Sequence, residues 1–438
     1  MSEKNYKTIF SDLIKLTLPI LGGNIAQILI SFSDTIVAGR YSTVALGAIS
    51  VASAIVMTII IGAIGLILSI SPVISNMRGQ KAPSKKYFKL TILFSIIVSV
   101  PFFLIIQIFL YFIDYIGLSP DMLPDIKDYI TICAYSIFPV AVFTAVKEFL
   151  QAWEKVKFAN FLMIFMVIIN LILNIILTFG YGSIPPLGVK GLSISTLFSR
   201  MIVAIIILIY SIPLLKEKYV YSKKYIKELF MVGAPISLAM FFEFLGFNLT
   251  AVLIGKFSSL YAAVHNIILC LANFTFMIVL SIANAASVKI GYFNGNHDRK
   301  NLIRYSIANI LLVILICILT FSVLGIWHNE IIGIFSSDSE VLTLSNNILK
   351  IAMAFLFFDG IQGACVGILK GLKDTKIIMF TMLFSYLFIA IPLGCYLAFY
   401  KNIVLEGFWT GLALALFTAA AITGSRAVYK IKQLKVES

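Results

Sequence analysis

The sequence predicts an all-α polytopic membrane protein with twelve transmembrane helices arranged as two pseudo-symmetric six-helix lobes. Three observations lead there. Hydrophobic residues fill 60% of the 438 positions and charged residues 12%, with a mean hydropathy of +1.01, whereas soluble domains hold roughly 45–50% apolar and 25% charged residues. The apolar residues gather in runs of about 20 or more, enough to cross a hydrocarbon core roughly 30 Å thick at a 1.5 Å rise per residue. The pattern also occurs twice: LIKLTLPI from Leu13 matches LFMVGAPI from Leu229, and the same offset carries Pro19 onto Pro235, Gly39 onto Gly255 and Gly79 onto Gly295.

The twelve spans fall at about 12–36, 46–76, 88–113, 127–149, 158–180, 189–214, 228–254, 260–290, 303–327, 345–370, 376–399 and 404–427. Basic residues alternate between their loops. One side collects Lys4 and Lys7, Arg78 to Lys86, Lys155 and Lys157, Lys216 to Lys227, Arg299 to Arg304, Lys370 to Lys376, and Lys430 to Lys435. The other holds mainly Arg40, Lys190, Lys256 and Lys401 among acids such as Asp114, Asp121, Asp125, Asp128, Glu330, Asp338 and Glu340. The positive-inside rule then puts both termini in the cytoplasm, in agreement with an even number of spans. The predicted division is an N-lobe over 1–214, a cytoplasmic linker over 215–227 and a C-lobe over 228–438. In the second half LKGLKDTK from Leu369 answers LQAWEKVK from Leu150, and Gly411-Leu412 answers Gly191-Leu192. Six spans per half make parallel repeats, related by an axis along the membrane normal, with the binding cavity expected between them near the midplane.

Composition also narrows the function. The formal charge of +14 sits in short loops rather than on one folded basic face, so no nucleic-acid partner is expected. Cys133, Cys270, Cys317, Cys365 and Cys395 are scattered through apolar runs without zinc or disulfide spacing. No HExxH, paired catalytic Asp or Ser-base arrangement marks an enzyme, and no cofactor is expected beyond a coupling ion. The polar start MSEKNYKTIFSDLIK lacks a small-residue cleavage site and is not expected to be a removable signal peptide.

Within the spans the polar residues carry the functional signal. Span 1 places Asn24, Gln27, Ser31 and Asp34 at steps of three and four, hence on one face, and span 5 presents Asn170, Asn174 and Thr178 at steps of four. Ser195 and Thr196 follow on span 6. Carboxylate, amide and hydroxyl oxygens suit a hard cation such as Na⁺. Amides and hydroxyls alone would fit interhelical hydrogen bonding equally well; the acid Asp34 favours the cation. In the second half Glu243 on span 7 and Asp359 on span 10 lie deep in apolar runs, where a carboxylate costs about 2.5 to 3.5 kcal/mol on insertion scales and marks an ion or substrate path. A neutral Glu243 acting as packing glue is the bland alternative. Phe241, Phe242, Phe244 and Phe247 surround Glu243, and span 8 offers Asn266 and Asn273 seven apart. Carboxylates beside aromatic walls suit an amphiphilic organic cation. Gln27 holds the place in the first repeat that Glu243 holds in the second.

Other features point to structure. Gly363, Gly367 and Gly371 form a small-residue ridge for close helix packing. Pro19, Pro101, Pro139, Pro235 and Pro392 predict bends. Arg200, in the middle of span 6, has three readings: a partner for an acid, a snorkelling side chain, or a lining of the lumen. His265 is expected to make an interfacial hydrogen bond.

The stretches SFSDTIVAGRYSTVALGAIS (Ser31 to Ser50), NLILNIILTFGYG (Asn170 to Gly182), GAPISLAMFFEF (Gly233 to Phe244) and FFDGIQGACVGILKGLKDTK (Phe357 to Lys376) resemble the multidrug and toxic compound extrusion (MATE) family, its NorM-type branch in particular, over the whole chain. The resemblance implies V-shaped lobes, alternating access, and export of organic cations by antiport with Na⁺ or H⁺ from a monomer in a bacterial cytoplasmic (inner) membrane. It also implies an N-lobe cation site at Asp34, Asn170, Asn174 and Thr196 and a C-lobe cation or substrate site at Glu243, Asp359 and Asn266. If the coupling ion is sodium, Asp34, Glu243 and Asp359 are its metal ligands. Two departures stand out: Asn266 occupies a position where the branch usually has Gln, and Arg200 adds positive charge to the N-lobe. The alternative function is a flippase of lipid-linked precursors or polysaccharide from the wider superfamily, which would need a cationic cavity.

Overall fold

The computed structural model describes residues 5–336 and 338–434; Lys4 and Lys435, two of the basic flanking residues, lie outside the described residues. Among the described residues eleven helical stretches are each long and apolar enough to cross a membrane, and one bent pair makes the twelfth. In order they are α1 (Tyr6–Tyr41), α2 continued by α3 (Thr43–Ile67 and Ile70–Gly79), α4 (Phe88–Phe112), the bent pair α5 and α6 (Leu123–Tyr135 and Ile137–Ala152), α7 (Val156–Phe179) and α8 (Val189–Tyr210). A single turn, α9 (Ile212–Leu215), precedes α10 (Lys223–Gly255), α11 (Ser259–Gly295), α12 (Arg299–Gly333) and α13 (Ser339–Gly371). The last two spans are α14 (Lys376–Leu383), joined by a π-helical segment to α15 (Ile391–Tyr400), and α16 (Leu405–Gln433).

The breaks have local causes. Proline has no N–H, and its ring crowds the carbonyl four residues back. Pro139 therefore breaks the helical ladder at Tyr135, and α5 and α6 meet at Ser136 with a bend of 41°. Pro392 acts on Phe388 in the same way, and the chain upstream widens into the π-helical Phe384–Ala390. Pro19, Pro101 and Pro235 are carried inside α1, α4 and α10.

The repeat seen in the sequence is present in the backbone. Ser42 and Ser258, related by the offset that links Pro19 to Pro235, are both extended (φ −164° and −163°), and both cap the following helix. Ser42 Oγ accepts from Ala45 N–H at 3.0 Å, and Ser258 Oγ accepts from Leu260 N–H at 3.1 Å. Lys81 and His297 take left-handed φ values of 57° and 58°. The next N–H in each case reaches back five residues, Ala82 to Met77 O at 2.9 Å and Asp298 to Phe293 O at 3.0 Å, which closes the helix in a Schellman turn. Glu154 and Lys373 (φ 61° and 58°) repeat the device at the later offset, with Lys155 N–H on Leu150 O and Asp374 N–H on Leu369 O, both at 2.9 Å.

The chain forms two compact units, one of residues 19–237 and one joining the described residues up to Leu18 to those from Leu238 onward. The core of the first unit is built from α2, α4, α5 and the start of α8, with Ile49, Val56, Ile106, Ile130 and Leu192 buried in it. In the second unit the glycine ridge of α13 lies against α11. A Cβ at Gly367 would come within 2.7 Å of Ala283 O, and one at Gly371 within 2.8 Å of Ile290. The ridge therefore serves packing. Gly191 and Gly411, paired by the repeat, do the same job in their own units: added Cβ atoms would lie 2.5 Å from Leu177 O and 2.6 Å from Ala390 O.

Candidate functional site

In the first unit the face of α7 predicted from the four-residue spacing is the buried one: Asn170, Asn174 and Thr178 are all fully enclosed. It meets α1 at Asp34, itself only 7% exposed. Asn174 Nδ2 donates to Asp34 Oδ1 at 2.7 Å and also reaches Asn170 Oδ1 at 3.1 Å and Ser33 Oγ at 3.3 Å. From α8, Thr196 Oγ1 donates to Asp34 Oδ2 at 3.4 Å and accepts from Asn170 Nδ2 at 3.5 Å. Three of the four residues predicted for the N-lobe, Asn170, Asn174 and Thr196, thus gather at the carboxylate of the fourth, Asp34. The carbonyl oxygen of Asn174 and the hydroxyl of Thr178 have no hydrogen-bond partner among the described residues, so two neutral oxygens on this face of α7 remain without a partner. Ser195, the neighbour of Thr196, bonds its own helix at Gly191 O.

The helix 1 face divides. Asn24 is buried, whereas Gln27 and Ser31 are exposed, because periodicity fixes the angle of a residue about its helix and not the depth of what packs against it.

Arg200 is buried and faces inward. It lies one turn beyond Thr196 on α8, and its Nη1 donates to Ser136 Oγ at 2.6 Å; Ser136 Oγ in turn donates to Cys133 O. Arg200 and Asp34 act on each other electrostatically, and Tyr129 and Cys133 on α5 feel both charges. Of the three readings open for Arg200, its burial argues against snorkelling; its guanidinium is anchored on Ser136 at the break between α5 and α6, and no ion pair joins it to Asp34 among the described residues. Ser33, Tyr129, Cys133 and Ser136 were not legible as part of this cluster. The only signal was the spacing of Tyr129 and Cys133, four apart on one short helix.

In the second unit Asp359 on α13 is buried, and Glu243 on α10 is partly buried. The two carboxylates act on each other as like charges, and the basic side chain that reaches Glu243 is Lys370, near the end of α13. Phe241 and Phe242 pack edge to face with ring centroids 5.9 Å apart beside Glu243. Phe247 turns toward Phe355 and Tyr386. Asn266 and Asn273 are exposed, and no hydrogen bond joins Asn266 to either carboxylate among the described residues. Its neighbour His265 is the buried one. The hydrogen bond expected of His265 is not made among the described residues; the ring instead lies 5.7 Å from that of Trp409.

Twelve crossings built from a doubled unit, with acids buried inside each compact half, define a polytopic membrane protein of the inverted- or parallel-repeat kind that includes secondary transporters. The MatE family model matches residues 19–176 and 235–396, two segments that begin at the two repeat-related prolines and together cover most of the chain. The chain belongs to the MatE family. It is 28% identical over 94% of its length to the probable multidrug resistance protein NorM of Photorhabdus laumondii, covering 93% of that protein. It is 26% identical over 98% of its length to the multidrug resistance protein NorM of Vibrio cholerae, covering 97% of that protein. Its fold is that of a MOP superfamily transporter from Pyrococcus furiosus, with a TM-score of 0.86 at 17% identity and 99% of each chain covered.

Proposed function

We propose that this protein is a secondary multidrug exporter that expels cationic amphiphilic compounds in exchange for Na⁺ or H⁺, working by alternating access in a bacterial cytoplasmic membrane with both termini inside. The observation that carries this reading is the pair Glu243 and Asp359. Two carboxylates that act on each other as like charges, one buried and one partly buried, repel, and a cation between or upon them relieves the repulsion. A site that is stable only when loaded gives the ion's arrival a conformational consequence. The membrane potential supplies about 2.3 kcal/mol per charge per 100 mV for each cation that enters. The aromatic side chains beside Glu243 suit the apolar body of an organic cation. The names of the NorM relatives, which describe drug resistance, agree with this cargo.

In the same reading residues 1–214 and 228–438 are the two transport lobes joined by a linker at 215–227, and the protein works as a monomer. Asp34 with Asn170, Asn174 and Thr196 offers a second cation site, of oxygen donors only. A lipid-linked precursor would need basic side chains for its anionic head group. Arg200, the basic residue buried in the first unit, is already engaged by Ser136.

Ethidium efflux from cells stripped of their own exporters, with and without a Na⁺ or proton gradient, tests the proposal. Glu243→Gln and Asp359→Asn should each abolish drug resistance while the protein stays in the membrane at wild-type abundance. Full resistance in both variants would remove the carboxylate pair from the mechanism.

A further inference from the structure

The interior of the first unit holds a base that a cation site has no use for. Arg200 is only 9% exposed and sits on α8 one turn beyond Thr196, whose hydroxyl lies 3.4 Å from Asp34. Its Nη1 donates to Ser136 Oγ at 2.6 Å, the one hydrogen bond it makes among the described residues. A guanidinium has five N–H groups, so most of its donors have no partner there. They are not sealed in as the hydroxyl of Thr178 is, and a ligand group can reach them. Nor does an acid meet Arg200 directly: the oxygens of Asp34 accept from Asn174 and Thr196 instead. Bases nearer the surface of the same unit do meet acids, Arg78 with Glu154 at 3.3 Å, Lys127 with Asp114 at 2.6 Å and Lys190 with Asp128 at 3.2 Å. An unpaired charge costs little in water and much in the interior. The arrangement here is the reverse, and a bound anion would account for it.

We propose that Arg200 is the receptor for a single carboxylate carried by the cargo, so that the compounds expelled include zwitterionic amphiphiles bearing both an amine and a carboxylate. The inference rests on the exporter reading above and adds to it a chemical class of substrate. A guanidinium presents parallel N–H groups that match the two oxygens of a carboxylate, a geometry that a lysine does not offer. One carboxylate balances one guanidinium. The diphosphate of a lipid-linked precursor would leave negative charge unpaired beside Asp34, where the interior makes it costly. Ser136 holds the fork: its buried hydroxyl accepts from Nη1 and donates to Cys133 O at 2.6 Å. The guanidinium is thereby tied to backbone at the junction of α5 and α6.

The test uses two fluorescent dyes that share one body, a rhodamine with a free carboxylate and its methyl ester, in proteoliposomes. Wild type should export both. In Arg200→Gln the KM for the acid should rise about tenfold relative to that for the ester, the loss expected of one charge-assisted pair. A change in turnover common to both dyes divides out of this ratio. A residue that only packed would shift the two dyes alike, and that result would overturn the assignment. Ser136→Ala releases the fork and should move the ratio the same way by a smaller factor; it carries the test if Arg200→Gln does not reach the membrane, and an unchanged ratio in it would then overturn the assignment. Replacing chloride by gluconate should leave wild-type export of the ester unchanged. A chloride dependence that Arg200→Gln abolishes would give the site to a free inorganic anion and overturn the assignment to cargo. Wild type that exported ethidium and the ester but not the acid would also overturn it while leaving the exporter reading standing. Export of none of the three would bring down that reading itself.

Discussion

Replacing Arg200 by Gln tests whether a fixed positive charge sets the hold of the first unit on its cation. Arg200 lies four residues, about 6 Å of helix rise, beyond Thr196, whose hydroxyl is 3.4 Å from Asp34. Charges separated by roughly 6 to 10 Å at an effective dielectric constant near 20 interact by about 1.7 to 2.8 kcal/mol. On the reading that Asp34 takes a cation, the guanidinium repels it by that amount. Its removal should tighten cation binding at Asp34 by roughly 20- to 100-fold at about 1.4 kcal/mol per decade, whichever ion is coupled. The assay is ethidium efflux from proteoliposomes as a function of the cation gradient: the half-maximal concentration should fall in Arg200→Gln, and the maximal rate should fall with it because release becomes slow. Arg200→Lys keeps the charge and should stay close to wild type in its cation requirement, which separates the electrostatic effect from the loss of the bond to Ser136. An unchanged half-maximal concentration in a correctly inserted Arg200→Gln protein would refute the argument.

Two further perturbations address the scaffold. Gly367→Ala places a methyl group against the backbone of Ala283, and overpacking of this kind costs about 1 to 3 kcal/mol. A lowered melting temperature is expected, whereas Gly255→Ala, where nothing lies within 4 Å of the added carbon, should leave it unchanged; equal effects would remove the ridge from the packing. Ser42→Ala and Ser258→Ala each delete a helix cap worth about 1 kcal/mol. Their matched geometry predicts matched losses in thermal stability of the purified protein.

The fold was legible because its signals are local. Span length and the punctuation of the repeat by Pro19, Pro235 and the lysine-rich turns need no knowledge of neighbours. The Asp34 cluster was legible because α7 spaces its amides by four and Asp34 is the one acid deep in the apolar run of α1, so that few partners are chemically suitable. Legibility ended where a side chain's role depends on the register of a neighbouring helix. His265 and Asn266 differ by one residue, yet the first is buried and the second exposed. Tyr386 is one of 19 tyrosines, and the turn that fixes it arises from the clash of Pro392 with the carbonyl of Phe388, a clash predictable as a bend but not as a π-helical register.

The two halves agree where the chain turns and differ where charge is buried, and the contrast has a physical cause. The offset of 216 that superposes Ser42 on Ser258 and Lys81 on His297 carries Gln27 to Glu243 and Asp34 to Thr250. The offset of 219 that superposes Glu154 on Lys373 carries Ser136, the anchor of Arg200, to Phe355, and Val140 to Asp359. A cap or a left-handed turn satisfies backbone groups that every copy of the unit exposes, so both copies need it. A carboxylate in a span costs about 2.5 to 3.5 kcal/mol wherever it is placed, and nothing in the packing of the repeat requires it. Thr250 shows the default: at the place equivalent to Asp34, its hydroxyl bonds Gly246 O of its own helix. The acids were therefore free to diverge, and they did so into two electrostatically different arrangements, one acid under the influence of a guanidinium and two acids under each other's. On the antiport reading proposed above, sites so different in net charge would bind a cation with different strength, so the two would not need to be loaded together during one cycle.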